Sequence, residues 1–357
     1  MVSLPPPATE IDIRLLRGNA LTERLPALRT YALRGTLSAA SADPNWLLIL
    51  KEGLGHVPFA LEATRQGTTV GWLPLAYLRS TLFGRYLASL PYLNSGGVQA
   101  DDAMVANRLI NHAVELGREL QVKHLELRHE QRVEHPLLDA TRSDKVHMRL
   151  ELPSFPGPLW ESFPAKVRNQ VRKGEKSGLN VEWGHLDRLD DFYNVFARNM
   201  RDLGTPVYGQ RLFAAILQHF DKAAEICAVR HEGRVIAAAM LIHGQGVTEV
   251  PSASSLREFN GTCANMLMYW NLLDRAIERG QAVFDFGRST MDGNTYRFKK
   301  QWGAIPEPAN WQYHLVTGDT PNLRPDNPRY QRLIRIWQRL PVRVTRWIGP
   351  KIVRGIP

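Results

Sequence analysis

Hydrophobic positions along this chain alternate between two rhythms, and the same order of rhythms occurs twice. Ile11 to Leu16 reads as a strand, followed by helical spacing over Thr22 to Leu37 and Pro44 to Leu54. β-Branched and aromatic residues bounded by Gly and Pro then predict strands at Pro58 to Thr64, Thr69 to Arg79 and Tyr86 to Leu90. Behind Asp101 and Asp102, Leu109, Ala113, Leu116 and Leu120 recur at helical spacing and predict a helix over Met104 to Leu120. Strands follow at Val122 to Leu127 and Val146 to Leu152, and the prolines between Pro153 and Pro158 mark a linker.

The second half repeats the order. A basic helix over Ala165 to Lys176 closes at Gly178 and leads to a strand at Asn180 to Trp183. Helices over Leu189 to Leu203 and Gln210 to Phe220 precede three strands, Glu225 to His231, Arg234 to His243 and Val247 to Pro251. A long helix, Ala264 to Glu278, then runs through Gly280 into a strand at Ala282 to Phe286. Mixed sheets covered by helices fit this order, so the expected class is α/β with mixed sheets. The expected division is 1–152, 153–318 and a tail over 319–357.

Length changes the picture little: 357 residues suit two cores better than one. Two cysteines, Cys227 and Cys263, make no disulfide framework, and both are expected as small buried side chains in a reducing compartment. The segment Met1 to Arg14 lacks the basic-then-apolar order of a secretion signal, and no apolar run is long enough to span a bilayer. A cytoplasmic location is the expectation. The +10 net charge matters for where it sits: Arg329, Arg332, Arg335, Arg339, Arg343, Arg346, Lys351 and Arg354 fall in the last 31 residues with no acid among them. The body is nearly neutral, which argues against a general nucleic-acid binder.

The stretch Phe284 to Gly303, FDFGRSTMDGNTYRFKKQWG, resembles the C-terminal signature of FemAB-like proteins, in particular the branch associated with exopolysaccharide and exosortase/PEP-CTERM gene clusters. SLPYLNSGG (Ser89 to Gly97), HLELR (His124 to Arg128), VRNQVRKGEKSGL and LGTPVYGQ (Leu203 to Gln210) carry the same likeness. The resemblance implies two tandem acetyltransferase-like (GNAT-type) domains with a channel between them, followed here by a basic helical tail. It implies an acyl- or aminoacyltransferase acting on a glycan or lipid-linked cell-wall precursor. The donor would be aminoacyl-tRNA or acyl-CoA as a co-substrate, with no tightly bound cofactor. No coiled-coil arm of the kind that holds tRNA in several relatives is visible. The CoA pyrophosphate loop of acetyltransferases is not intact either: REFNGTCAN (Arg257 to Asn265) has Arg and Gly one residue too far apart. A CoA-dependent N-acyltransferase on an amino sugar and a non-catalytic assembly protein of exopolysaccharide export remain as alternatives.

Acyl transfer passes through an oxyanion, which a fixed cation stabilises. By resemblance Lys299 takes that role, on a short helix with Tyr296. The alternative is a solvated pair with Lys300. Arg288 and Ser289 follow a strand end behind Gly287, where a guanidinium suits phosphate or carboxylate; pairing of Arg288 with Asp285 or Asp292 is the other reading. Asp285 is a candidate base, or a turn-closing acceptor. Lys166, Arg168, Arg172 and Lys173 make a basic helix suited to a phosphate-rich partner across the domain seam, or a solvated face. Tyr92, Asn94, Gly96 and Gly97 form a loop expected to wall the acceptor site, with Tyr208 treated likewise. His129 and His135 lack metal-ligand spacing, and no metal is expected.

In the tail, arginines every three or four residues alternate with Leu333, Ile336, Trp337, Leu340, Val344, Trp347 and Ile348, and Pro341 divides the helix in two. Two readings stand together: an interfacial element on anionic lipid, and a helix pair packed on the first domain.

Overall fold

The computed structural model describes residues 10–80, 84–316 and 328–356, with side chains from 331 onward in the last segment. The first nine residues, the start of the expected tail at 319–327 and the Arg329 side chain lie outside the described residues.

The chain opens with β1 (Ile11–Leu16), α1 (Gly18–Ala32), α2 (Asn45–Leu54), β2 (Val57–Arg65), β3 (Thr68–Ser80), β4 (Gly84–Ala88) and a short β5 (Gln99–Ala100). Then come α3 (Ala103–Glu119), β6 (His124–His129), β7 (Ala140–Arg142) and β8 (Lys145–Glu151). The second half contains α4 (Pro156–Ser162), α5 (Ala165–Lys176), β9 (Leu179–Gly184), α6 (Leu189–Leu203), α7 (Gln210–Phe220), β10 (Ala224–His231), β11 (Arg234–His243) and β12 (Val247–Ser255). It continues through α8 (Ala264–Glu278), β13 (Val283–Thr290), α9 (Asn294–Lys300), β14 (Ile305–Pro308) and β15 (Asn310–Leu315) to α10 (Pro328–Arg339) and α11 (Val342–Val353).

The strands form two sheets of matching design. The first runs β1-β2-β3-β4-β6-β15-β7 with β5 beside β3, and the second runs β14-β8-β13-β12-β11-β10-β9. Each has one parallel pair, β4 with β6 and β12 with β13, next to antiparallel neighbours. The duplication expected from the element order is therefore a duplication of topology. The sheets also exchange strands across the expected boundaries. β8, from the first segment, pairs with β13, while β15, from the second, pairs with β6. Each sheet is completed by the other half, so the halves cannot part without breaking ladders.

Alternation along the strands sorts the side chains into layers. Leu61, Leu73, Leu75, Leu125 and Leu127 of the first sheet face α3, which presents Val105, Leu109, Ile110 and Ala113. The opposite face, with Ala60, Trp72, Ala76 and Tyr86, packs on α1 and α2, which meet α6, α7 and the inner face of the second sheet in one shared core. The outer face of the second sheet, including Cys227, Val229, Ala237 and Leu241, is covered by α4, α5, α8 and α9. Cys227 is buried as expected, and Cys263 is half-buried at φ 60°.

Three local expectations change. The first helix begins at Gly18 and ends at Ala32, ahead of the predicted Thr22 to Leu37. The proline stretch is no plain linker, because Pro156 starts α4, where a missing N–H costs nothing. The tail does divide at Pro341, but its two helices pack chiefly on α6 of the second half, with contacts to the first half at Arg354 and Gly355. Gly204 ends α6 in the left-handed region at φ 78°, and a Cβ there would collide with Ile334 of α10. Gly204→Ala is expected to cost more than about 1 kcal/mol and to loosen α10, read as a lower Tm and faster proteolysis after Leu203; an unchanged Tm would contradict this docking.

Candidate functional site

The parallel strands of the second sheet separate part-way along. β12 and β13 pair at Val247–Val283, Thr248–Phe284 and Glu249–Asp285, and no further. Past that point β12 follows β11 (Met240–Ser252, Ala238–Ser254) and β13 follows β8 (Arg288–His147, Ser289–Val146), with a bulge between Asp285 and Arg288. A cavity of about 390 Å³ opens at this fork, between the halves. Its polar lining includes Glu249, Ser252, Ser254, Asn199, Arg288 and Lys299, with Tyr92 and Asn94 from the first half, and its apolar lining includes Trp46, Leu50, Phe196 and Phe213. The equivalent fork between β4 and β6 is filled by chain. The Arg128 guanidinium donates to Leu93 O at 2.6 Å and to Glu126 at 2.6 Å, and Arg128 O accepts the backbone N–H groups of Gly96 and Gly97.

Lys299 is 8% exposed and lies against this cavity on α9. Its Nζ donates to Gly287 O at 3.0 Å and to Arg288 O at 2.9 Å. An ammonium has three donors, so one remains for a ligand. Burial draws its pKa down to about 8 against the pull of Asp285, with Arg288 adding to the fall. Gly287 makes the close approach: φ is +77°, and a Cβ would stand 3.3 Å from Asn94 Nδ2 and 3.9 Å from Lys299 Nζ.

Asp285 does not line the cavity. Its Oδ1 accepts the Gly287 N–H at 2.6 Å, and its Oδ2 faces Arg149 Nε at 3.1 Å, with Arg149 also held by Glu130 and Glu307. It is the turn-closing acceptor rather than a free base. The carboxylate on the cavity is Glu249, which the sequence reading passed over. Burial, with the Asp285 charge in support, pushes its pKa up to about 7, while its Oε2 accepts Ser41 N–H at 2.7 Å. The available signal was an acid inside the apolar run of β12, just before Pro251.

Arg288 forms no ion pair among the described residues, with neither Asp285 nor Asp292; its guanidinium opens on the cavity and lies 4.6 Å over the Trp311 ring. Arg128 covers the same ring at 4.1 Å. Arg288 is exposed to the cavity, and the protein atoms around it together with the Arg128 charge lower its pKa to about 10, which leaves it cationic at neutral pH. An unpaired guanidinium beside a cavity is suited to an anion, and if Arg288 holds one, Arg288→Ala is expected to raise KM for an anionic substrate about ten- to a hundredfold with kcat less affected. An unchanged KM would remove Arg288 from the binding site.

The remaining candidates divide. Tyr92, at φ 74°, hydrogen-bonds His56 at 2.9 Å, donates to Arg354 O at 2.8 Å, and meets Tyr208 edge-on at 5.5 Å on the cavity wall. Burial raises the pKa of both tyrosines, so both stay protonated donors. Gly96 and Gly97 sit behind the wall, where Cβ atoms would strike Leu90 and His129. Ser289 is buried away from the cavity, its Oγ without a hydrogen bond, and Tyr296 belongs to the outer core. Lys166, Arg168, Arg172 and Lys173 ride on α5 in the outer layer, not at the seam, with Arg172 over Trp160 at 5.5 Å.

A fork between parallel strands, with the following helix set against it, is the geometry on which the family comparison bears. Residues 161–300 match the model of the acetyltransferase (GNAT) domain. The second half has a GNAT-type fold. No curated protein sequence matches the chain. Among solved structures, FemX superposes with a TM-score of 0.63 at 14% identity, over 90% of this chain and 100% of its own. A tandem GNAT protein from the clavulanic acid biosynthesis pathway gives 0.55 at 14% identity, over 87% and 100%. The C-terminal domain of a putative lysylphosphatidylglycerol synthetase from Agrobacterium fabrum gives 0.55 at 13% identity, over 84% and 93%. At such identities the likeness is one of fold: tandem GNAT-type domains, shared with FemX as the motifs implied. In the GNAT half of this chain the residues before α8, Arg257–Thr262, form a 3-10 turn that ends at Cys263. Among the described residues no helix is long and apolar enough to cross a membrane.

Proposed function

We propose that the protein is an acyl- or aminoacyltransferase whose reaction takes place in the cavity between its halves, at the fork of β12 and β13. The observation that carries this reading is that Glu249, with a pKa near 7, and the Lys299 ammonium both line this one cavity. Glu249 as carboxylate takes the proton from an attacking amine or hydroxyl. The third N–H of Lys299 meets the carbonyl oxygen as it becomes anionic; when that oxyanion collapses, the bond to the donor breaks and the tRNA ribose oxygen or CoA sulfur leaves with the proton taken up by Glu249. Val250 to Ser254, no longer paired with β13, leave strand-edge donors and acceptors for an extended amide-bearing substrate. Arg288 holds an anionic group of donor or acceptor, and Tyr92, Asn94 and Tyr208 shape the acceptor side.

The acceptor in this reading is an amine or hydroxyl of a cell-wall or exopolysaccharide precursor on the cytoplasmic side, in keeping with the FemAB resemblance. Aminoacyl-tRNA and acyl-CoA are the two donor classes. The altered turn at Arg257–Thr262 holds one glycine, Gly261, a residue too far from Arg257 and without a second to help aim backbone N–H groups at a pyrophosphate, which favours the aminoacyl donor over CoA. Purified protein incubated with isotope-labelled aminoacyl-tRNA or acetyl-CoA and a nucleotide-linked amino-sugar acceptor tests this by mass spectrometry. Label entering the acceptor from the tRNA ester is the expected result. Label from acetyl-CoA alone would reassign the donor, and none from either would count against transfer.

A further inference from the structure

The inner face of the tail is fully used. Ile334 packs on Gly204, Gly349 on Val207 and Gly355 on Ser80. Arg201 Nη1 donates to Leu340 O at 3.0 Å, Gln338 Nε2 to Asp202 O at 3.1 Å and Arg346 Nη1 to Asn194 at 2.8 Å. The tail is thus part of the body, in a fixed orientation.

Its outer face has the opposite character. Trp347 is 68% exposed, Leu333 62% and Ile336 51%, with Val344 and Ile352 beside them. Between these stand the exposed Arg332, Arg335, Arg339, Arg343 and Lys351. None of these cations forms an ion pair among the described residues, and no acid occurs anywhere from 328 to 356. Large apolar side chains left in water beside unpaired cations are a cost to the isolated molecule. Two kinds of polyanion attract such a face. An RNA backbone would satisfy the arginines and leave Leu333, Ile336 and Trp347 wet. A bilayer takes both at once, with the apolar residues at the acyl boundary, the tryptophan at the interface and the cations among anionic headgroups.

We propose that the outer face of α10 and α11 is a docking surface for an anionic bilayer, the protein lying on the membrane without crossing it. This goes beyond the transfer reaction and uses none of its groups. The surface also adjoins the cavity: Arg354 O accepts from Tyr92 Oη at 2.8 Å, and Leu203, at the end of the helix that carries the tail, is a cavity residue. A bilayer on this face would lie near the part of the cavity lined by Tyr92 and Leu203.

The test is flotation of the full-length protein with vesicles of phosphatidylcholine alone and of equal parts phosphatidylcholine and phosphatidylglycerol, at low and physiological salt, with and without bulk tRNA as competitor. Two variants at exposed positions accompany it, Arg335→Glu/Arg339→Glu/Arg343→Glu and Ile336→Ala/Trp347→Ala, each checked for an unchanged Tm. The expected result is flotation only with phosphatidylglycerol, weakened about a hundredfold by the charge variant and about tenfold by the apolar variant. Absence of flotation, equal flotation with neutral vesicles, or flotation unaffected by either variant would overturn the proposal. Tight tRNA binding that abolishes flotation would assign the face to RNA instead.

Discussion

Lys299→Met lowers kcat by about a hundred- to a thousandfold while KM changes little. The split follows from where the ammonium acts. Its free N–H has only a weak partner in a neutral carbonyl and a strong one in the oxyanion, so its loss is felt in the transition state. Methionine keeps the apolar stem of a side chain that is buried along α9. The two carbonyls it abandons, Gly287 O and Arg288 O, end a strand that stays held by its ladder to β8 and by the Asp285 turn. Stability therefore falls by no more than roughly 3 kcal/mol, read as a Tm shift without loss of the cooperative transition. Full activity in this variant would remove the oxyanion assignment, whatever becomes of the fold.

Glu249→Gln has an effect of similar size, a loss of about a hundred- to ten-thousandfold in kcat, together with a change in pH dependence that no merely structural role would give. If Glu249 and Lys299 act as proposed, kcat/KM of the wild-type protein is expected to rise as pH passes about 7, because the base works only as the carboxylate, and to fall above about 8, where Lys299 loses its proton. The glutamine variant loses the acid limb and keeps the alkaline one; Lys299→Met loses the alkaline limb and keeps the other. Stability moves the opposite way. A carboxyl whose folded pKa lies above its unfolded value of about 4.3 favours the folded state below that pH, and this contribution is lost as pH rises through about 7. Removing the charge is therefore expected to raise the Tm at pH 8 and to leave it unchanged at pH 4. Glutamine keeps the acceptor for Ser41 N–H, so the geometry survives the substitution.

Much of the architecture was legible because it rests on local periodicity. Helical spacing at Leu109, Ala113 and Leu116 marks the face that α3 buries, and the Glu232–Gly233 turn marks the β10–β11 hairpin. Strand exchange was not legible. β8 and β15 look like ordinary strands of their own halves, and only non-local pairing with β13 and β6 assigns them across the boundary. The site shows the same division. Lys299, Arg288, Tyr92, Asn94 and Tyr208 carry motif signals and meet at the cavity. Glu249 carries no motif, and its chemistry arises from burial beside Asp285, which the residues on either side of it in sequence do not announce. Asp285 was open to two readings, a base for an attacking amine and a turn-closing acceptor between Phe284 and Phe286, and Arg149 with the Gly287 amide makes it the second. Of the two readings of the basic α5, its position favours the solvated face: its apolar Val167 and Val171 turn it onto the outer face of the second sheet, away from the fork.

Mass spectrometry of glycan and cell-wall precursors from three strains tests the central claim most directly: wild type, a deletion, and a chromosomal Glu249→Gln substitution whose protein accumulates to the wild-type level. Transfer at the β12–β13 fork predicts a precursor carrying an acyl or aminoacyl mass in the wild type, absent from both other strains, with the unmodified precursor accumulating. The same modified mass in the Glu249→Gln strain, or identical precursors in all three, would contradict it.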